Sequence, residues 1–159
     1  MYFEEITENK KKYMDLLYLA DEQEEMIDRY IDHGRMYILH DAEAFPDADA
    51  RPTGDVVGEC VVTDNGDGVF EIKNIATDPS LHGRGYGRAL VEHVMELYAG
   101  RGTTMLVGTG DSPLTVPFYK KCGFTEHHRL ANFFTDNYDH PIFEAGVQLV
   151  DMVYLSRNL

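Results

Sequence analysis

The run Gly83-Arg84-Gly85-Tyr86-Gly87, followed by Arg88, is the pattern in this chain best suited to chemistry. Glycines let a backbone turn tightly and approach a ligand. If a helix begins at once after them, its first amides lack intrahelical partners. With the helix dipole they form an anion site suited to a pyrophosphate, and Arg84 and Arg88 add positive charge. Two familiar phosphate motifs are excluded. A P-loop ends in Gly-Lys-Ser/Thr, whereas Gly87 is followed by Arg-Ala; the G-x-G-x-x-G fingerprint would need a small residue at Arg88 or Leu90. Cys122 has no adjacent base in sequence and reads as a small buried hydrophobe. His127, His128 and His140 lack a ligand spacing such as H-E-x-x-H, so no metal is expected.

The elements that must hold this turn follow from periodicity and breakers. Tyr2 to Ile6 suits a first strand, and a helical stretch follows from Thr7 to about Ala20. A second helix is expected from Asp21 to His33, with Met26, Ile27, Tyr30 and Ile31 on one face and Gly34 as its C′ stop. Arg35 to His40 is a strand, and the proline- and aspartate-rich stretch 41–55 a loop. Val56 to Thr63 and Val69 to Thr77 form a hairpin around Asp64-Asn-Gly-Asp-Gly, since Asn-Gly between β-rich runs is a strong turn signal. The glycine turn then leads into a helix ending near Ala99, with Leu90, Val91, Val94, Met95 and Tyr98 facing the core and Glu92, His93 and Glu96 facing away. Thr104 to Val107 is a strand, Pro113 to Cys122 a short helix capped by Gly123, and Phe124 to Leu130 and Val147 to Leu155 the last two strands. Hairpins and crossovers in this order imply an α/β fold with a mixed sheet of six or seven strands and helices on its faces.

Length and charge bound the function. A chain of 159 residues suits one domain. Fourteen Lys and Arg against 28 Asp and Glu give a net charge of −14, which repels phosphate backbones and anionic membranes. We therefore expect neither nucleic acid nor membrane as a partner, and a cationic substrate would be attracted. Two cysteines, no apolar leader at the start and no run near the ~20 apolar residues of a membrane span point to a cytoplasmic protein with reduced thiols. A homodimer is the default for a soluble enzyme.

The stretch Asn74-Ile-Ala-Thr-Asp-Pro-Ser-Leu-His-Gly-Arg-Gly-Tyr-Gly-Arg-Ala-Leu90 resembles motif A of the GNAT acetyltransferases, written Arg/Gln-x-x-Gly-x-Gly/Ala. Gly85 and Gly87 take the two small positions, and His82 stands in the Arg/Gln place. Val116-Pro-Phe-Tyr-Lys-Lys-Cys-Gly-Phe124 resembles motif B, x-x-F-Y-x-x-x-G-F, and Met105-Leu-Val-Gly-Thr-Gly before it resembles the family's fifth strand. The resemblance covers about residues 69 to 124. It implies the GNAT fold, with splayed fourth and fifth strands and the pantetheine arm between them. It also implies acetyl-CoA as co-substrate, held by Ile75, Ala76, Thr77, His82, Gly83, Arg84, Gly85, Tyr86, Gly87, Arg88 and Phe118.

Amide formation from a thioester needs a neutral amine, a stabilised oxyanion and a protonated leaving thiolate. Glu71 holds the place of the glutamate base in GNAT histone acetyltransferases; Lys73, two residues on, shares its face of the strand. Glu59 on the preceding strand is the alternative base. The family resemblance makes Tyr119 the acid for the thiolate, and a backbone amide near Ile75 or Ala76 the oxyanion donor. Asp136, Asp139 and Glu144 alternate with Phe133, Phe134, Tyr138 and Phe143 in the loop 132–146, a pattern suited to a small cationic amine acceptor. An acyl-CoA-binding sensor without turnover is the alternative function.

Overall fold

A computed structural model describes residues 1–159. The elements are β1 (Tyr2–Ile6), α1 (Met14–Ala20), α2 (Glu24–Asp28), β2 (Arg35–His40), β3 (Val56–Asp64), β4 (Val69–Thr77), α3 (Tyr86–Tyr98), β5 (Thr104–Gly110), α4 (Val116–Lys121), β6 (Thr125–Leu130), α5 (Phe133–Asn137), β7 (Phe143–Glu144), β8 (Val147–Gln148) and β9 (Met152–Asn158). Seven strands form one mixed sheet in the order β1-β2-β3-β4-β5-β9-β6, and β7 and β8 make a separate two-residue ladder. Two compact units divide the chain. One comprises Met1–Asp64 and Ile72–Leu97, the other Asn65–Glu71 and Tyr98–Leu159.

In the first unit β1, β2 and β3 run antiparallel in sequence order, with a register shift between Leu39 and His40. A core of Tyr13, Leu17, Ile27, Tyr30, Ile31, Met36, Ile38, Val56 and Val61 forms against α1 and α2. The expected first helix begins as a 3-10 turn, Lys10–Tyr13, after Asn9 at φ +55°. The second is shorter than its periodicity predicts, since only Glu24–Asp28 is α-helical. Met26, Ile27, Tyr30 and Ile31 are nonetheless all buried, because the turns that continue the helix keep the same face inward. Gly34 is not a left-handed stop. A Cβ there would lie 2.7 Å from Val61 Cγ1 and 2.8 Å from the Tyr30 carbonyl, so close approach requires the glycine. On α3, Leu90, Val91 and Val94 are buried as expected. His93 departs from expectation: it is half-buried and its ring stacks on Phe3 at 3.7 Å.

In the second unit β9 pairs antiparallel with both β5 and β6. Val153 and Leu155 of β9 and Met105 and Val107 of β5 are buried, while the alternate residues Met152, Tyr154, Leu106 and Gly108 are half-buried on the opposite face. The expected last strand from Val147 divides into β8 and β9 around Leu149–Asp151. The break has a packing cause: Leu149 turns in to join Phe134 and Ile142 in a small core, with Phe133, Tyr138 and Met152 packed on it. No helix is long and apolar enough to cross a membrane.

Candidate active site

The glycine turn sits where the sequence places it, directly before α3. Gly83 and Gly85 adopt φ +84° and +86°, conformations that side chains disfavour, and a Cβ at either would meet nothing within 4 Å. The backbone there faces open space. The first i→i−4 bond of α3 runs from the Ala89 amide to the Gly85 carbonyl at 3.0 Å, so the amides of Tyr86, Gly87 and Arg88 precede the ladder. Arg84, Arg88 and His82 are exposed around them. An exposed backbone cradle at the N-terminus of a thirteen-residue helix fits a pyrophosphate.

Two contacts across the first unit fix this turn. The Tyr86 hydroxyl donates to Asp41 Oδ2 at 2.6 Å; the bond to Asp41 raises the phenol's pKa and lowers that of the carboxyl. Arg51 donates to Asp78 Oδ2 at 3.1 Å and lies 3.3 Å over the Phe45 ring. The stretch 41–55 is thus tied to the start and end of the Asp78–Tyr86 segment. Its base is tied by His40, hydrogen-bonded to Asp55 at 2.7 Å and Glu4 at 3.1 Å. Sequence reading missed Asp41, whose partner lies 45 positions away.

Ile75 and Thr77 are half-buried and Ala76 buried on β4. Gly58 of β3 allows this approach, since a Cβ there would lie 2.8 Å from the Ala76 carbonyl. Glu59, the alternative base, is 0 % exposed and both its carboxylate oxygens lack a partner. Burial holds its pKa well above the usual carboxylate range. Glu59 therefore sits in the core of the first unit. Lys73 lies 5.7 Å from the Tyr30 ring.

The second unit carries the other candidates. Glu71 is buried and accepts a 2.8 Å hydrogen bond from Asn65 Nδ2 in the hairpin turn. Tyr119 is buried on α4 with its ring edge-on to Phe118 at 5.1 Å and Phe124 at 6.0 Å. The helix start is held by the Thr115 hydroxyl, which donates to the Gly110 carbonyl at 3.0 Å. Phe118 is half-buried, and Cys122 is buried.

Across β5, β9 and β6, Tyr154 is in register with Gly108 on one side and His128 on the other. Its ring stacks on His128 at 4.6 Å and 4°. A Cβ at Gly108 would lie 3.0 Å from Tyr154 Cε1 and Cζ, so the ring leans over this glycine. Burial and the Glu71 charge push the Tyr154 phenol up to about 12. The sequence signal for this contact was Gly108 in the interior of a strand, a usual mark of close approach.

The loop acids are dispersed. Asp136 is exposed on α5, Glu144 is half-buried on β7, and Asp139 pairs with His140 at 2.5 Å. Only Asp139 of the three lines a pocket of about 230 Å³, together with Phe134, Tyr138, Ile142 and Leu149. The aromatics pack on one another, Phe133 edge-on to Phe134 at 5.3 Å and Phe134 stacked on Tyr138 at 5.7 Å.

Comparison with known proteins places this arrangement in a family. Residues 18–126 match the model of the acetyltransferase (GNAT) domain. An uncharacterized N-acetyltransferase of Bacillus subtilis, YvbK, is 33% identical over 154 residues, covering 96% of this chain and 92% of its own. An IAA acetyltransferase from Bacillus cereus superposes with a TM-score of 0.86 at 31% identity, covering 99% of both chains. A GNAT family acetyltransferase from Elizabethkingia anophelis, solved with acetyl-CoA bound, gives 0.86 at 29% identity, covering 99% of this chain and 97% of its own. The chain belongs to the GNAT acetyltransferase family. It is an acyl-CoA N-acyltransferase with acetyl-CoA as co-substrate.

Proposed function

We propose that this chain is one catalytic domain that moves the acetyl group of acetyl-CoA to a small primary amine, cationic in solution, with Glu71 as base and Tyr119 as acid. The observation that carries the reading is the buried Glu71 carboxylate, held by Asn65 in a fold whose glycine cradle suits a pyrophosphate. The amides of the turn Gly83–Arg88 hold the pyrophosphate, aided by Arg84, Arg88 and His82; Ile75, Ala76, Thr77 and Phe118 contact the rest of the co-substrate.

The thioester supplies an activated acetyl carbon. Free alkylamines have pKa values near 10, so Glu71 takes a proton before the nitrogen attacks. The C–N bond forms and the C–S bond breaks, while an amide of Ile75 or Ala76 holds the oxyanion. Tyr119 gives its proton to the departing sulfur, and the nitrogen loses its second proton to solvent as the amide forms; Glu71 releases its own proton to solvent and Tyr119 regains one, so one proton is released per turnover. Asp136, Asp139 and Glu144 draw the cation toward the site within a chain of net charge −14.

The test is thiol release from acetyl-CoA with a panel of primary amines, beside calorimetry of CoA on wild type and Gly85→Val. We expect amine-dependent thiol release and lost CoA affinity in a folded Gly85→Val. Tight CoA binding without thiol release for any amine would favour the sensor reading. Unchanged affinity in the variant would overturn the cradle.

A further inference from the structure

We propose that Tyr154 is a specificity-determining residue of the acceptor site: flanked by Gly108 and His128, it forms a flat seat for the ring of an arylalkylamine whose amino group is presented to Glu71. The inference rests on the acetyltransferase reading with Glu71 as base, and names the body of the amine that this base serves.

Three strands build the seat. Register places Gly108 of β5, Tyr154 of β9 and His128 of β6 in one row. Alternation puts Gly108 and Tyr154 on the half-buried face of the sheet, opposite the buried Val153 and Leu155, with His128 exposed at the outer end of the row. His128 stacks parallel on Tyr154 and is held from behind by His127, the two Nδ1 atoms being 2.6 Å apart. On the other flank Gly108 offers no side chain, and the phenol ring occupies the space a Cβ would claim. Any larger residue at 108 would push the ring away.

The chemistry of this row selects its occupant. Met152 lies beside it, with its sulfur 2.7 Å from where a Gly108 Cβ would stand. A parallel ring pair with a thioether at its edge favours a flat π-system through offset stacking and sulfur–aromatic contact. Glu71, whose charge raises the pKa of the Tyr154 phenol, suits the ammonium end of the same molecule. Asn65 holds one oxygen of that carboxylate at 2.8 Å.

The experiment compares 2-phenylethylamine, n-butylamine and putrescine as acceptors by thiol release, on wild type, Tyr154→Leu, Tyr154→Phe and Gly108→Val. Wild type should favour 2-phenylethylamine in kcat/KM by about tenfold or more, the scale of one good aromatic contact. Tyr154→Leu and Gly108→Val should abolish that ratio through KM, with the KM for acetyl-CoA serving as control for folding. Tyr154→Phe should retain it, because the ring and not the hydroxyl makes the seat. Equal losses for all three amines, or turnover in wild type with no ring preference, would overturn this inference and leave the acetyltransferase reading intact. No thiol release with any amine would remove both.

Discussion

The Tyr86 hydroxyl and the Asp41 carboxylate meet at 2.6 Å, joining the middle of the glycine turn to the residue that follows β2. A charge-assisted bond of this length holds the turn from its side and leaves the backbone amides clear. Tyr86→Phe and Asp41→Ala should each weaken CoA roughly fivefold, and the double variant should be no weaker than either. Calorimetry on the four proteins checks this. Additive losses would show that the two residues act separately.

Tyr119→Phe removes one hydroxyl from a buried ring whose packing against Phe118 and Phe124 needs only its apolar edges. Turnover should drop by about 10²–10⁴ if this hydroxyl protonates the thiolate. Affinity for CoA should change little. A kcat within twofold of wild type would return Tyr119 to a packing role.

Glu59 offers a prediction on stability rather than rate. Its folded pKa lies well above the ordinary value of 4.5 because burial disfavours the charge. Above pH 4.5 the unfolded chain has lost a proton that the folded chain keeps. Stability therefore drops as pH rises, by about 1.4 kcal/mol per unit, until the folded group itself titrates. Glu59→Gln cannot titrate, so its melting temperature should gain on wild type progressively as pH rises above about 4.5, until the folded group titrates. A gap that stays constant with pH would mean that Glu59 is ionised in the fold.

Asp136→Asn with Asp139→Asn should raise KM for a cationic amine about two- to fivefold and leave that for acetyl-CoA alone. The wild-type kcat/KM should also decline as salt rises, since screening at 0.15 M acts beyond about 8 Å. Steady-state kinetics across ionic strength measures both. Indifference to the double substitution would assign the loop acids to solubility.

What the sequence made legible was whatever is local. The Gly83–Gly87 turn, the apolar face of α3 and the Asn-Gly hairpin each depend on neighbours within a few residues, and each formed where expected. Gly34 was read as a stop because Gly after an amphipathic run has that meaning; its real reason, Val61 on a strand 27 positions later, is invisible to periodicity. The same holds for Asp41 on Tyr86, for Asn65 on Glu71 and for Tyr154 over Gly108. Each is a long-range meeting or a question of side-chain direction. His93 looked like a solvent-facing position until Phe3, on the first strand, gave it a ring to stack on. The loop aromatics suggested a cation surface by composition, and packing spent much of their area on one another instead.

β6 ends the seven-stranded sheet, and all six of its side chains are exposed. An open edge of that kind is a template on which another chain could add a strand. Here it carries Glu126, paired with Lys120 at 3.6 Å, and Arg129, paired with Asp111 at 2.9 Å. Joining two such edges would strip water from these charged side chains, a cost that works against strand addition at this edge.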